Sequence, residues 1–132
     1  MITELLLTLT PLDYQHLAKV VQVEAAPNTA DEFCVAASVL NRVASDRFPN
    51  TVSEVVHAPG QYEGIYTKKS IVPNPKLVER LSSVQGRNSI LLWSKVLGGR
   101  TDYKGQSMLR YRVPSEDPMC HPKGNFYHYH WQ

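Results

Sequence analysis

A carboxylate standing on an apolar helical stripe is the residue of this chain best suited to acid–base chemistry. Residues 12–25 (LDYQHLAKVVQVEA) carry Leu17, Val20 and Val21 at the spacing of one helical face. Glu24 follows them by seven, four and three residues, which puts its side chain on the same stripe one turn further on. Removal from water there favours the protonated carboxyl. The negative end of the helix dipole, in the last turn before Pro27, pushes the same way. A carboxyl kept protonated near neutral pH is what a general acid requires. The plain alternative is a solvated glutamate at a helix end with no role.

Other side chains with chemical potential are less well placed. Cys120-His121 and His128-x-His130 offer soft and borderline ligands, and two His at i, i+2 on a strand point to one side. Neither Cys-x-x-Cys nor His-Glu-x-x-His spacing accompanies them, so no metal and no cofactor are expected. Packing of a terminal His/aromatic strand is the simpler reading, and His128 lining a groove is a third. Cys34, among small apolar residues, reads as a buried free thiol, with a bridge to Cys120 as the alternative.

The elements that position Glu24 follow from caps and periodicity. Thr10 and Pro11 open the first helix as N-cap and first helical residue, and it ends before Pro27. A second helix spans residues 30–45, capped by Thr29 or Asn28, with Asp31 and Glu32 favouring its first turn. Its stripe of Phe33, Ala36, Ala37, Leu40 and Val43 is narrow and rich in small residues, which suits a central, closely packed helix. Asn41 and Arg42, flanked by Leu40 and Val43, read as anchors to a neighbouring loop. Thr51 and Glu54 fit a capping box ahead of a short helix over 52–57.

Residues 61–73 read as a loop or weak strand. Asn74-Pro75 opens a helix that breaks near Gly86, resumes, and ends at Gly98-Gly99. Residues 107–113 and 126–131 alternate like strands. The sum is an α+β chain, predominantly helical, with a small late β element.

The totals bound the class. The 132 residues suit one domain, residues 1–132, burying roughly two-thirds of its unfolded surface. A net charge of +2, with bases scattered apart from Lys68-Lys69, gives no nucleic-acid stripe. The run 5–9 (LLLTL) is too short to span a membrane, and it lacks the flanks of a secretory signal. A substrate outside the cytoplasm would therefore need another route of delivery, as with a phage endolysin or a partner-delivered protein. A monomer is expected.

Five blocks then align in order: LAKVVQVEA at 17–25, VLNRV at 39–43, RFPNTV at 47–52, EVVHAPGQY at 54–62, and MLRY at 108–111 before an aromatic/His end. This series resembles the SleB/CwlJ family of cell-wall hydrolases. The resemblance runs from about residue 14 to residue 130 and is specific as a set. It implies a lysozyme-like fold with a substrate groove, and cleavage of peptidoglycan between N-acetylmuramic acid and N-acetylglucosamine. It also implies that the Glu of the family's EA motif, here Glu24, is the catalytic acid. Three places depart from the family pattern. Ala25-Ala26-Pro27-Asn28 replaces an Arg-Gly-Glu type loop, Arg110-Tyr111 replaces an aromatic pair, and residues 115–123 look inserted.

Glycosidic cleavage needs one acid for the leaving oxygen and a way to handle the oxocarbenium-like centre, normally a second carboxylate. Glu63, Asp102, Glu116 and Asp117 read as solvated loop residues, and Glu54 as a cap. A single acid suits a lytic transglycosylase better than a hydrolase. A module that binds glycan without cutting it, or a phage structural component, is the rival of another class. Gln61 and Tyr62 are the first choice for substrate contacts, through an amide hydrogen bond and ring stacking, with Tyr111 and His128 as further groove residues. Because Glu54 is assigned to a cap, Glu54→Gln should leave lysis intact and cost about 0.5–1 kcal/mol or less in a denaturant titration.

Overall fold

The structure is a computed structural model that describes residues 2–59, 61–62, 71–106 and 117–129. Among these residues the elements are α1 (Ile2–Thr8), α2 (Pro11–Glu24), α3 (Asp31–Ala44), α4 (Val52–His57), α5 (Pro75–Ser82), α6 (Val84–Leu97), β1 (Asp102–Lys104) and β2 (Phe126–His128). No helix among them is long and apolar enough to cross a membrane. The architecture is helical α+β, as the periodicity requires.

Local chemistry sets most boundaries. The Thr10 hydroxyl accepts from the Asp13 N–H at 3.2 Å, and the Asp13 carboxylate accepts from the Thr10 N–H at 2.9 Å. This box and Pro11 start α2 where expected. Asn74 caps α5 by accepting from the Lys76 and Leu77 N–H groups. Gln22 on α2 clamps the same entry, donating to the Val72 carbonyl and accepting from the Asn74 N–H.

The capping of α3 differs from expectation. Ala30 is its N-cap with helical backbone angles and no side-chain cap, while Asn28 takes a left-handed φ of 60° in the preceding turn. Asp31 and Glu32 do stand in the first turn of α3, as expected, and both are buried there. The break between α5 and α6 falls at Ser83 rather than Gly86. Ser83 is extended and its hydroxyl accepts from the Gly86 N–H at 3.0 Å. Gly86 sits in the first turn of α6, where a Cβ would collide with the Arg80 and Leu81 carbonyls. Gly98, at φ 58°, ends α6.

Two elements were not anticipated. The first is α1, which buries Ile2 and Leu6 against α3 and α6. The second is β1, which pairs antiparallel with β2, setting Asp102 opposite His128, Tyr103 opposite Tyr127 and Lys104 opposite Phe126. Asp102 is thus a strand residue rather than a loop residue. The strand expected over 107–113 lies outside the described residues, as do Glu63 and Glu116.

The core is built around α3, which packs against α1, α2, α4 and α6. Ala36, Ala37, its valines and Ser38 are buried, so the small-residue stripe does bring neighbouring helices close. Cys34 is not a free thiol: it is bridged to Cys120, 86 residues away, with a Cα–Cα separation of 6.4 Å. That distance lies within the range a disulfide requires. Chain separation hid the pairing from a reading of local pattern.

Where α2 meets α4, His16 and His57 stack edge to face with ring centroids 4.9 Å apart. Burial, then the neighbouring His57 and Lys19 charges, hold His16 below its ordinary pKa of 6.5. The unfolded chain therefore takes the proton first. Stability should be level above about pH 6.5 and fall as pH drops below it. Melting temperatures across pH 5–8 should show that slope in the wild type and a flatter one in His16→Gln.

Candidate active site

Glu24 ends α2, and its side chain is half-buried beside the Arg42 guanidinium. Among the described residues nothing hydrogen-bonds its carboxylate. Burial raises its pKa above the ordinary carboxylate value of 4.5, and Arg42 opposes that rise. The Glu24 backbone is fixed separately: its carbonyl accepts from Asn125 Nδ2 at 3.0 Å. An uncommitted, partly desolvated carboxyl on a fixed backbone is the arrangement a general acid needs.

Arg42 is held from every side. Nε donates to the Thr101 carbonyl at 2.9 Å, Nη1 to Gln61 Oε1 at 2.8 Å, and Nη2 pairs with Asp102 at 3.4 Å. Its guanidinium lies over the Tyr62 ring at 4.6 Å and over Phe48 at 5.1 Å. Next to it, Asn41 donates to the Arg100 carbonyl and accepts from the Ser94 hydroxyl, each at 2.8 Å. Asn41 and Arg42 thus tie α3 to residues 100–102, the anchoring role their place on the helix suggested.

Tyr62 and Tyr103 complete the surroundings of Glu24. Both phenols are buried, and among the described residues neither has a hydrogen-bond partner. Burial chiefly raises the pKa of each, and the Glu24 charge adds to both rises. They are therefore neutral donors at any working pH, and the coupling places both in the field of Glu24.

The structure brings the expected residues together unevenly. Gln61 joins the cluster through Arg42, its Oε1 accepting from Nη1. Tyr62 joins it as a core residue, 2% exposed, with one ring face taken by Arg42. It therefore does not offer the open face expected for stacking on a sugar. Among the described residues no contact joins His128 to Glu24; its ring is partnered by the Tyr129 carbonyl at 3.2 Å. Tyr111 lies outside the described residues. A separate cleft of about 540 Å3 between α1, α3 and α6, lined in part by Asn41, Ser94 and Lys95, includes none of the expected site residues.

The sequence left the buried role of Asp31 unread and placed Asp102 in a loop rather than a strand. Asp31 is fully buried, accepting from Tyr127 Oη and Asn125 Nδ2, both at 2.6 Å. Burial raises its pKa, and these hydrogen bonds and His121 oppose the rise. The signal for it was present: Asp31 precedes Cys34 by three residues and Val35 by four, the spacing that singled out Glu24. The Asp31, Cys34 and Cys120 ligand atoms lie within 4.8 Å of one another, but both sulfurs are spent in the bridge. Asp102 is engaged by Arg42 and by the Thr101 hydroxyl.

The sequence profile of the cell wall hydrolase family matches residues 28–129. The chain belongs to that family. Glu24 lies just ahead of the matched span, so its assignment rests on its place in the helix and on the geometry above. Two solved structures share the fold. The catalytic domain of the Bacillus cereus SleB protein matches with a TM-score of 0.62 at 24% identity, over 89% of this chain and 90% of that one. The catalytic domain of the germination-specific lytic transglycosylase SleB from Bacillus anthracis matches with a TM-score of 0.63 at 24% identity, over 91% and 96%. The predominantly helical α+β fold expected from the resemblance is therefore the one observed, and it is shared with these SleB catalytic domains. A search of curated proteins returns no match.

Removing one partner of a buried, hydrogen-bonded ion pair strands the other. Arg42→Gln should cost about 3–5 kcal/mol in urea unfolding, and Asp102→Asn distinctly less, because Asn keeps an acceptor oxygen toward Arg42.

Proposed function

We propose that this family member cleaves the glycan strand of peptidoglycan between N-acetylmuramic acid and N-acetylglucosamine as a lytic transglycosylase, with Glu24 as the one acid/base. The observation that carries the reading is the contrast among three acids. Glu24 is half-buried with a free carboxyl, whereas Asp31 and Asp102 are committed to internal partners. A group that must first give and then take a proton has to be uncommitted in the resting enzyme.

In this mechanism protonated Glu24 donates to the glycosidic oxygen as the bond to the muramoyl anomeric carbon breaks. The C6 hydroxyl of the same muramoyl residue then attacks that carbon, and its proton goes to the Glu24 carboxylate. The product is a 1,6-anhydro ring, no water is consumed, and Glu24 ends protonated as it began. The likeness to a protein described as a lytic transglycosylase supports this ordering, as does the lack of an uncommitted second carboxylate near Glu24 among the described residues. The Tyr62 and Tyr103 phenols keep the surroundings weakly hydrated, which favours the protonated carboxyl that the first step uses.

Purified peptidoglycan digested by wild type and by Glu24→Gln, with products read by mass spectrometry, tests this directly. Anhydro-muramoyl ends from wild type alone, with turnover about 10²–10⁴-fold lower in the variant, are expected. Ends heavier by one water would replace the mechanism with hydrolysis. Binding without cleavage in both samples would make this a glycan-binding module. Since Glu24 must start protonated, the rate should fall as pH rises through its pKa. Burial places that alkaline limb above the one an ordinary glutamate would give.

A further inference from the structure

The segment 117–125 is seated on the helical body by polar and covalent ties rather than by apolar burial. Met119 is 39% exposed, and Pro122 and Lys123 are exposed as well. Yet this segment delivers Asn125, whose Nδ2 donates both to the Glu24 carbonyl at 3.0 Å and to Asp31 at 2.6 Å. Two anchors hold it on α3: the Cys34–Cys120 bridge, and the Asp31 carboxylate that takes Asn125 and Tyr127. Asp31 and Cys34 lie one turn apart, and the carboxylate and both sulfurs fall within 4.8 Å of one another, so the two anchors form one cluster. Gln106 adds hydrogen bonds to the Pro122 and Gly124 carbonyls, but it reaches them from the loop after β1 and not from α3.

The bridge ties this segment covalently to α3, and opening it removes that tie. What remains is a buried carboxylate whose hydrogen bonds must offset its own desolvation.

We propose that the Cys34–Cys120 disulfide is a redox catch on the Glu24 site: the oxidised chain holds Asn125 against the end of α2, and the dithiol form releases it. The proposal rests on the reading of Glu24 as the acid. Closing the catch is thiol–disulfide exchange with a small-molecule or protein disulfide. The two thiols lose two protons and two electrons, and the oxidant's disulfide gains them as two thiols. A thiol reductant reverses the step through a mixed disulfide. Asn125 acts here through the Glu24 backbone and is a positioning residue.

The test compares the oxidised full chain with the same protein reduced by dithiothreitol, the number of free thiols being counted by alkylation and mass spectrometry. The dithiol form should release muropeptides from peptidoglycan at least tenfold more slowly, with its helical circular dichroism unchanged. Amide hydrogens of 119–128 should exchange faster, and the alkaline limb of its rate–pH profile should move. Loosening remote from Glu24 would not move that limb. Re-oxidation should restore the rate, and Cys34→Ala/Cys120→Ala should behave as the reduced form whatever the redox buffer. If the double variant loses its helical signal, Cys120→Ala alone, which leaves Cys34 in the core, takes its place. Equal rates in the oxidised and dithiol forms would overturn the proposal. If the oxidised chain cleaves no peptidoglycan, the functional reading fails. The catch is then judged on exchange, and redox-independent exchange at 119–128 would sink it.

Discussion

Burying α3 on every side forces its polar side chains to find partners inside the protein, and the site is the result. A helix in the middle of a bundle cannot send a guanidinium or a carboxylate to water, and a buried polar group without a partner costs about 1–3 kcal/mol or more. Ser38 turns back to the Val35 carbonyl of α3 itself, but the charged and amide residues of α3 are each met by another part of the chain. Asp31 takes Asn125 and Tyr127, and Glu32 pairs with Arg80 on α5 at 3.0 Å. Asn41 takes Arg100 and Ser94, while Arg42 takes Thr101, Gln61 and Asp102. Segments distant in sequence thus converge on one helix because its polar groups must be satisfied. Glu24, at the end of the neighbouring helix, sits where several of these segments meet.

The electrostatics of Glu24 follow from this assembly. Burial favours its neutral form, and Arg42 favours its charged form. Asp102 and two aromatic faces engage the Arg42 guanidinium, and at Glu24 desolvation outweighs the opposing Arg42 charge. The ion pair thus both anchors residues 100–102 and partners a cation whose charge reaches Glu24.

What could be read from the sequence was whatever depends on near neighbours. Glu24 was legible because three apolar residues within two turns define its face, and Thr10, Asn74 and Gly98 because caps act within four residues. Asp31 obeyed the same spacing as Glu24, but its place in a first turn offered a sufficient local explanation, and its real partners lie more than ninety residues away. Cys34–Cys120 and the β1–β2 pairing failed for the same reason: no local pattern records a partner across 86 residues or a strand three residues long. Tyr62 was misjudged differently. An aromatic residue beside an amide reads as a sugar platform, but whether a ring face is open depends on a guanidinium contributed by another helix.

The smallest element shows how far this dependence goes. Two strands of three residues each are too short to hold their own geometry in water. The position of β1, and with it Tyr103 beside Glu24, must be imposed from outside the sheet. Arg42 fixes the start of β1 through Thr101 and Asp102, and Asp31 fixes β2 through the Tyr127 hydroxyl. Tyr103 and Tyr127 then meet across the strands with centroids 5.6 Å apart. Both fixing residues lie on α3, about three turns apart, so the rigid helix sets the spacing between the two strands' anchors. The sheet behaves as a side chain of the bundle, and the wall near Glu24 is only as precise as the buried charges that hold it.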